Sequence, residues 1–334
     1  MSNKVNIIIP SIQLSQELIF CLKKIEKQKF RNFFVTIVLD KKNFKLKPKF
    51  NFKLNILIVG KKSMSYKRNF AAKKFQSKYL AFIDSDTYTG NKWLLSAITL
   101  LKNKKFNVVG GPNIPFPNQS YLEKISHYAK RSYYVTGYLN FRKYKAKARL
   151  CEWLESCNFL IHKKTYFDIG GMDVAKYLGE DKDFFERANR KDKNFKTFYS
   201  PQLYIHHKER SPYKLLIQRF IFGTDIFNII KFKNNINSFQ PLLPILIIST
   251  FNFILLYGFN LKLKIYLILS LLLLIQFLII YDVMKYIRSV KAILLTTILI
   301  NLANISFGLG SFFAIFGLNK NLIRKIYLKS RNNK

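Results

Sequence analysis

The chain has few acidic residues and many basic ones. Its 334 residues include 18 Asp and Glu against 57 Lys and Arg, which is a formal net charge of +39. Such an excess is typical of proteins that bind nucleic acid or an anionic membrane surface. Abundant Lys, Asn, Ile and Phe are also typical of A/T-rich coding sequences, so part of the charge is compositional. Acidic residues that occur close together therefore stand out.

Cysteine is also scarce, and signal-peptide features are missing. No CxxC pair occurs among the three cysteines, which are Cys21, Cys151 and Cys157. Neither a disulfide framework nor a zinc site is therefore indicated. The apolar run at residues 5–9 is too short for the hydrophobic region of a signal peptide. We expect the first domain to remain in a reducing cytoplasm.

Long apolar runs occur only after residue 240, at 242–258, 263–281 and 290–318. The second is close to the roughly 20 residues that cross a bilayer and is predicted to be a transmembrane helix. The first carries Pro244 and is near the lower limit of length. The third contains Asn301 and further polar and glycine residues, so it is either one tilted helix or a re-entrant pair.

The basic tail at 320–334 conflicts with three crossings. Starting from the cytoplasm, three crossings would leave this tail outside, against the positive-inside tendency. A hairpin in the third segment, or a first segment that lies in the membrane interface, would remove the conflict. The sequence leaves these alternatives open.

The first 90 residues alternate between β-rich and helical patterns. Strands are predicted at 5–9, 33–39, 54–59 and 79–83, with helices that begin at Ser15 and near Ser65. Such βαβ repetition indicates a largely parallel sheet, in which ligands bind outside the carboxyl ends of the strands. The residues predicted to share this edge are Pro10, Ser11, Asp40, Asp84 and Asp86.

The segment YLAFIDSD is the most informative part of that edge. Two carboxylates at positions i and i+2, directly after a buried strand, can bind one hard cation that keeps open sites for phosphate oxygens. A D-x-D pair by itself is weak evidence, because most such pairs are solvated turns.

The order and spacing of several segments strengthen this interpretation. Together they resemble family-2 glycosyltransferases, inverting enzymes with the GT-A fold, over residues 5–224. The segments that carry the resemblance are VNIIIPS, IVLD, SYKRNFAAKKFQSKYLAFIDSD, VVGGPNIP, FDIGGMD, GEDKDFFERANRKDKNFKTFYSP and YIHHKERSPYKLLIQRFIFGTD. The resemblance implies an α/β fold with a Rossmann-like, mostly parallel sheet.

The resemblance also implies roles for individual residues. The implied donor-binding residues are Pro10, Ser11, Asp40, Arg68, Asp84 and Ser85. Asp86 falls where the family binds Mg²⁺ or Mn²⁺, which acts as a Lewis acid on the departing diphosphate. Either His206 or His207 would complete the metal shell, and counting from FGTD assigns that position to His206. Asp40 stands alone where the family often has two acids, which is a departure from the family's pattern for binding the nucleotide base.

The triplet Gly-Glu-Asp at 179–181 is expected to supply the catalytic base. Asp181 would take the proton of the acceptor hydroxyl during inversion, and Glu180 would orient the acceptor. Acidic residues are also favourable at a helix N-terminus for electrostatic reasons alone, and the two interpretations are compatible.

A helix that starts at Ser211 and Pro212 is predicted to lie along the membrane interface. Its polar face carries Lys214, Gln218, Asp225 and Asn228. Arg219 points away from that face, so it is either a contact for a diphosphate on a lipid acceptor or a snorkelling interfacial cation. The domains would be 1–212 (GT-A), 213–240 (interfacial helix and linker), 241–319 (membrane region with two to four helical segments) and 320–334 (basic tail).

The expected function is that of a bacterial glycosyltransferase anchored in the inner membrane, with its catalytic domain in the cytoplasm. Donor and acceptor would be a UDP-, GDP- or dTDP-linked sugar and a polyprenyl-diphosphate-linked saccharide or other glycolipid. The Gln-x-x-Arg-Trp element of processive synthases is absent, which favours single addition. The alternative is an inactive GT-A scaffold or sugar-binding subunit. Nucleic acid is not an expected partner, because no recognisable binding module is present.

Overall fold

The computed structural model describes residues 4–43, 49–103, 105–176, 179–224 and 260–315, together with 249–250, 253–254 and 257. The chain divides into two compact units. Unit 1 comprises Met1–Phe116 and Phe141–Lys208, and unit 2 comprises Pro117–Asn140 and Glu209–Lys334. Residues 117–140, which the sequence analysis assigned to the first domain, therefore group with the C-terminal helices.

Unit 1 contains the strands, and the four strands predicted from the sequence are confirmed. In chain order they are β1 Val5–Pro10, β2 Phe33–Leu39, β3 Lys53–Ile58, β4 Tyr79–Ile83, β5 Thr87–Thr89, β6 Val108–Gly110, β7 Asn113–Pro115, β8 Arg149–Cys151, β9 Asn158–His162, β10 Thr197–Tyr199 and β11 Ile205–His207.

Ten α-helices are distributed over the two units in the described residues. In chain order they are α1 Gln16–Ile25, α2 Met64–Lys74, α3 Trp93–Lys102, α4 Tyr121–Arg131, α5 Tyr133–Thr136, α6 Lys163–Asp168, α7 Glu180–Lys191, α8 Pro212–Thr224, α9 Leu261–Met284 and α10 Val290–Ile315. Ser15 caps α1 as predicted. The cap of α2 is Ser63 rather than Ser65, because the Ser63 hydroxyl accepts from the Tyr66 amide.

The main sheet of unit 1 has eight strands in the order β3-β2-β1-β4-β9-β6-β10-β8. Strands β1 to β4 pair in parallel, and β10 pairs in parallel with β6. The prediction of a mostly parallel sheet is confirmed. Strand β9 runs antiparallel between β4 and β6, and β8 is antiparallel at the edge. These two strands were not predicted.

A second sheet of three strands, β5-β11-β7, lies beside the loop that follows β4. In it, β11 is antiparallel to β5, so His206 pairs with Tyr88 and His207 pairs with Thr87. The register brings the two histidines to the start of β5, directly after the Asp84–Asp86 turn.

The buried side chain of Asn158 in unit 1 has a hydrogen-bond partner at each of its polar atoms. Asn158, which is 1% exposed, accepts from Trp93 Nε1 at 3.0 Å and donates to the carbonyl oxygens of Gly111 and Leu203 at 2.9 Å each. Unpaired buried polar groups cost stability, so this full complement of bonds stabilises one arrangement of β9, α3 and the segment before β11.

Unit 2 is a helical bundle of α4, α5, α8, α9 and α10. The carboxylate of Asp282 on α9 accepts from the Ser132 hydroxyl at 2.7 Å and from the Tyr133 amide at 3.1 Å, at the start of α5. The Tyr286 hydroxyl, just after α9, donates to the Tyr128 carbonyl at 3.1 Å. Residues 117–140 are therefore bonded to the end of α9 and to the turn that follows it.

Two helices in the described part of the chain, α9 and α10, are long and apolar enough to cross a membrane. The 24 residues of α9 extend about 36 Å, compared with a hydrocarbon core of about 30 Å. Only 6% of the most apolar window of α9 is buried. Most of the first apolar segment, 242–258, and the basic tail lie outside the described residues.

The third apolar segment forms one continuous helix over 290–315, so a re-entrant pair is not formed there. Asn301, which had suggested an interruption, exchanges two hydrogen bonds with Gln276 of α9, at 2.8 and 3.2 Å. Pairing two amides between apolar helices satisfies both and sets their register.

Helices α8 and α10 approach each other closely through glycines. A Cβ atom added to Gly310 would lie 2.0 Å from the Phe220 carbonyl oxygen, and one added to Gly223 would lie 2.0 Å from the Phe307 carbonyl oxygen. The Ser311 hydroxyl donates to the Gly223 carbonyl at 3.2 Å. Small residues at such a crossing let two helix backbones touch.

Gly310→Ala is expected to destabilise unit 2 by about 1–3 kcal/mol, because the added methyl group meets backbone that cannot move aside. Gly308→Ala is the matched control, since no atom lies within 4 Å of its added Cβ and alanine favours a helix. Thermal denaturation in detergent would show a lower midpoint for Gly310→Ala alone. Equal midpoints for the two variants would contradict the close crossing.

Candidate active site

The carboxyl ends of β1 and β2 meet at a lysine that the sequence analysis did not single out. Lys67 of α2 is fully buried, and its ammonium lies 2.6 Å from an Asp40 carboxylate oxygen. The same group donates to the Ser11 carbonyl oxygen. Pro10 is buried at the end of β1. The predicted proximity of Pro10, Ser11 and Asp40 is therefore observed, with Lys67 connecting the last two.

Arg68 connects the loop after β4 to the start of α7. Its side chain is 2% exposed, and its guanidinium donates to Asp84 Oδ1 at 2.7 Å and to Glu180 Oε1 at 3.3 Å. Arg68 and Glu180 are 112 positions apart in the chain. The two acidic motifs found in the sequence, at 84–86 and 180–181, are thus brought to one guanidinium.

Arg68→Ala is expected to lower the unfolding free energy by about 3–5 kcal/mol, because it leaves two partly buried carboxylates without their counter-charge. Chemical denaturation would measure the loss. Arg190→Ala, on the exposed side of α7, is the control and should stay close to the wild type. A loss of the same small size in both variants would show that Arg68 does not hold the two motifs together.

His207 lies beside Asp86. Its Nε2 is 3.8 Å from Asp86 Oδ1, while its Nδ1 is 2.8 Å from the Lys208 carbonyl oxygen. A carbonyl can only accept, so Nδ1 carries the proton, and Nε2 is the ring nitrogen directed at the carboxylate. Ser85 lies between the two aspartates in the turn and is partly exposed.

His206, the predicted ligand, faces the opposite side of β11 because side chains alternate along a strand. Its ring stacks on Tyr88 with centroids 4.5 Å apart, and its Nδ1 is 2.8 Å from the Pro115 carbonyl oxygen. Burial lowers the pKa of His206. The geometry therefore favours His207 over His206 as the partner of Asp86.

Asp181 lies in the first turn of α7, after Gly179, whose φ is +68°. Its carboxylate accepts from the Ser156 amide at 3.2 Å and from the Lys182 amide at 2.8 Å. Burial, followed by the negative charge of Glu180, raises the pKa of Asp181 from 3.8 to about 7. A carboxylate with this pKa can gain or lose a proton near neutral pH.

A charged cluster that the sequence analysis missed lies near Asp181. Glu155 accepts from Lys143 Nζ at 2.7 and 2.9 Å, and its charge contributes to the raised pKa of Asp181. The Arg142 guanidinium lies 3.7 Å from the centre of the Trp153 ring. Because acids are scarce in this chain, Glu155 was a signal in the sequence, but only the fold brings it near Asp181.

Cys157 is a further residue that the sequence did not indicate. One ligand atom each from Asp84, Cys157 and His207 lie within 4.8 Å of one another. The Cys157 sulfur also accepts from the side-chain amide of Asn113 at 3.0 Å. The thiol is thus part of the same cluster as the predicted donor and metal residues.

Arg219 belongs to unit 2, on α8. Its guanidinium lies 4.7 Å from the centre of the Phe307 ring of α10. The described part of the helix ends at Thr224, so Asp225 and Asn228 of the predicted polar face lie outside the described residues. Within the bundle, Arg219 stacks on an aromatic ring and lies close to the glycine crossing.

Comparison with known proteins agrees with this architecture. The model of the family described as "Glycosyltransferase like family 2" matches residues 18–222, which is more than half of the chain. A mannosyltransferase from Pyrobaculum calidifontis, solved with GDP-Man and Mn²⁺, is 11% identical with a TM-score of 0.58. That alignment covers 94% of this chain and 88% of the other.

Two further solved structures are less similar. GalNAc-T7, solved with UDP, GalNAc and Mn²⁺, is 13% identical with a TM-score of 0.48 over 62% of this chain. S. aureus TarS is 15% identical with a TM-score of 0.44 over 78% of this chain. The alignments cover 44% of the length of each of these two proteins. No curated protein sequence matches the chain.

Three observations indicate the same family and fold. They are the mostly parallel sheet with acidic residues at the ends of its strands, the family match over most of unit 1 and the similarity to the mannosyltransferase. The chain belongs to glycosyltransferase-like family 2 and is a glycosyltransferase with the GT-A fold.

Proposed function

We propose that the chain transfers one sugar, with inversion, from a nucleotide sugar to a hydroxyl group of a lipid-linked saccharide or glycolipid. The observation that carries the proposal is the double ion pair of Arg68, which joins the Asp84–Asp86 turn to the Glu180–Asp181 helix end. Inverting transfer needs a group that stabilises the leaving diphosphate and a base for the acceptor, and both motifs are in unit 1.

Asp86 and His207 would hold Mg²⁺ or Mn²⁺. Their side chains fit such an ion, because a carboxylate oxygen faces an imidazole nitrogen whose lone pair is directed at it. When bound, the cation neutralises the charge that develops on the departing nucleoside diphosphate. The Mn²⁺ in the structure of the similar mannosyltransferase supports this assignment.

The donor would bind along the ends of β1, β2 and β4. Ser11 and Asp40 are assigned to the base and ribose, with Lys67 fixing the Asp40 carboxylate. Asp84 and Ser85 are assigned to the ribose or the sugar. Arg68 orients Asp84 through its ion pair and does so as a positioning residue.

Asp181 would act as the base, since its raised pKa makes its carboxylate able to accept the hydroxyl proton near neutral pH. Glu180, which the sequence analysis assigned to acceptor orientation, is paired with Arg68 and would position the helix end as well. An inactive scaffold would need neither these carboxylates nor the raised pKa, which is why we favour an enzyme. The absence of a Gln-x-x-Arg-Trp element favours the addition of a single sugar.

A lipid acceptor accounts for α9, whose apolar residues are mostly exposed. Confining the enzyme and its acceptor to one surface raises their effective concentration, and the basic excess attracts anionic headgroups. We assign the chain to the bacterial inner membrane with unit 1 in the cytoplasm. Arg219, whose guanidinium stacks on Phe307, would contribute to the packing of α8 against α10 within unit 2.

Contacts within unit 2 support one orientation of the membrane helices. Helix α4 has 11 residues, about 16 Å, so the segment 117–140 is too short to cross a bilayer and return. The end of α9, through Asp282, and the turn after it, through Tyr286, bond to this segment, and the turn carries Lys285 and Arg288. The turn therefore belongs on the cytoplasmic side, in agreement with the positive-inside tendency.

Thiol labelling tests this orientation. A cysteine at Ser289, in a Cys151→Ser background, should react with a membrane-impermeant maleimide in inside-out vesicles, and a cysteine at Asn260 should react in right-side-out vesicles. The opposite pattern would contradict the orientation. Cys21 and Cys157 are buried and should contribute little background.

The donor is best sought by a thermal-shift screen of UDP-, GDP- and dTDP-sugars with Mn²⁺. A ligand that binds only the folded state at about 100 times its Kd stabilises it by about 2.7 kcal/mol. We expect one nucleotide class to raise the melting temperature with Mn²⁺ and to fail with EDTA. The absence of any shift across the panel would favour the scaffold.

A further inference from the structure

The cluster of Asp84, Cys157 and His207 includes a thiol, Cys157, that has no role in the proposed transfer. One carboxylate oxygen, one sulfur and one ring nitrogen lie within 4.8 Å of one another. Around a tetrahedral Zn²⁺, bond lengths of about 2.0–2.3 Å place ligand atoms roughly 3.4–3.8 Å apart. The three ligand atoms would therefore need to move closer together by about 1 Å to bind Zn²⁺, and side-chain rotation can supply a movement of that size.

The sulfur of Cys157 lies in surroundings that favour metal binding. The thiol is 7% exposed, and the Asn113 amide donates to the sulfur at 3.0 Å, a bond that stabilises a thiolate. A soft ligand of this kind distinguishes Zn²⁺ and Cd²⁺ from Mg²⁺ and Mn²⁺.

We propose that Asp84, Cys157 and His207 form a site for a thiophilic divalent cation such as Zn²⁺, which overlaps the site of the catalytic ion through His207. Occupation of the site by Zn²⁺ withdraws His207 from Asp86 and draws Asp84 from Arg68, so the cation acts as an inhibitor. The overlap with the catalytic ion rests on the proposed function, whereas the binding of a thiophilic cation does not.

Direct titration of the purified full-length protein with Cd²⁺ or Zn²⁺ alone tests the site, with no donor or acceptor present. Cd²⁺ should produce a thiolate-to-metal absorption band at one equivalent in the wild type and in Cys151→Ser. The band should disappear in Cys157→Ser, and a chromophoric chelator should report Zn²⁺ binding weakened by about 10- to 100-fold in His207→Ala. Mn²⁺ should produce no such band.

Thermal denaturation of each variant checks that the fold is kept, and His207→Ala preserves the test if Cys157→Ser does not fold. An unchanged band in Cys157→Ser, or a band lost in Cys151→Ser instead, would overturn the proposal. If no sugar transfer is ever found but the band follows Cys157, then the proposed function fails while the cation site stands.

Discussion

Asp181→Asn is expected to lower the rate of sugar transfer by about 10²- to 10⁴-fold, which is the usual contribution of a general base. The asparagine side chain can accept from the Ser156 amide as the carboxylate does, but it cannot take the proton of the acceptor hydroxyl. Binding of donor and metal should be nearly unchanged, because the Arg68–Asp84 pair and the Asp86–His207 pair remain. Transfer kinetics together with donor titration would separate the two effects.

The control is Glu186→Gln on the same helix, which removes only a pairing with Lys182 at 3.4 Å and should keep near-normal turnover. Near-normal turnover in Asp181→Asn would show that another group is the base.

Thermal stability provides a second readout for Asp181. The pKa of Asp181 is about 7 in the folded chain and about 3.9 in an unfolded one.

The sign of the stability effect follows from this difference in pKa. Below about pH 4 the carboxyl is protonated in both states, and between pH 4 and 7 only the unfolded state loses its proton, so folding stability falls as pH rises. Above pH 7 the penalty is constant. Asp181→Asn should therefore melt no lower than the wild type at pH 8. The wild-type transfer rate should rise about tenfold per unit below pH 7 and then level off.

Asp86→Asn is expected to reduce transfer by about 10²- to 10³-fold, a loss typical of removing one electrostatic stabiliser of the transition state. Unlike Asp181→Asn, it should weaken Mn²⁺ binding, because an amide oxygen carries no net charge. Titration of Mn²⁺ by calorimetry with donor present would measure this. Unchanged Mn²⁺ affinity with lost transfer would remove Asp86 from the metal site.

A matched pair of histidine variants distinguishes the two candidates for the second ligand. His207→Ala should weaken Mn²⁺ binding by about 10- to 100-fold, because the Nε2 atom that faces Asp86 is lost. His206→Ala removes a stacked ring beside Tyr88 and should mainly lower stability. If His206→Ala weakened Mn²⁺ binding more than His207→Ala does, then His206 would be the metal ligand, as predicted from the sequence.

Features that depend on short-range sequence patterns could be predicted from the sequence. Fully apolar runs such as YLAFI predicted β4 with the observed bounds, and βαβ repetition predicted the parallel half of the sheet. The acids at 84–86 stood out because few acids are present, and those at 180–181 were assigned through the resemblance to the family. Their roles in catalysis stay predictions, which the variants above test.

The features that were missed depend on pairing between distant segments. Strand β9 has a buried apolar centre like that of the parallel strands, and nothing in its pattern indicates that it runs antiparallel to both of its neighbours. Alternation along β11 decided which histidine faces Asp86, and counting positions from a motif does not determine a strand's register. Residues 117–140 joined unit 2 because of Asp282 and Tyr286, about 150 positions later.

The central claim is that the metal-binding turn and the base act in one active site on a membrane acceptor. The most direct measurement is the incorporation of labelled sugar from each nucleotide sugar into an organic-soluble lipid fraction, with Mn²⁺ or EDTA, for wild type and Asp181→Asn. We predict incorporation from one donor class that requires Mn²⁺ and is lost in Asp181→Asn. Incorporation that persists in EDTA, or equally in both proteins, would contradict the account.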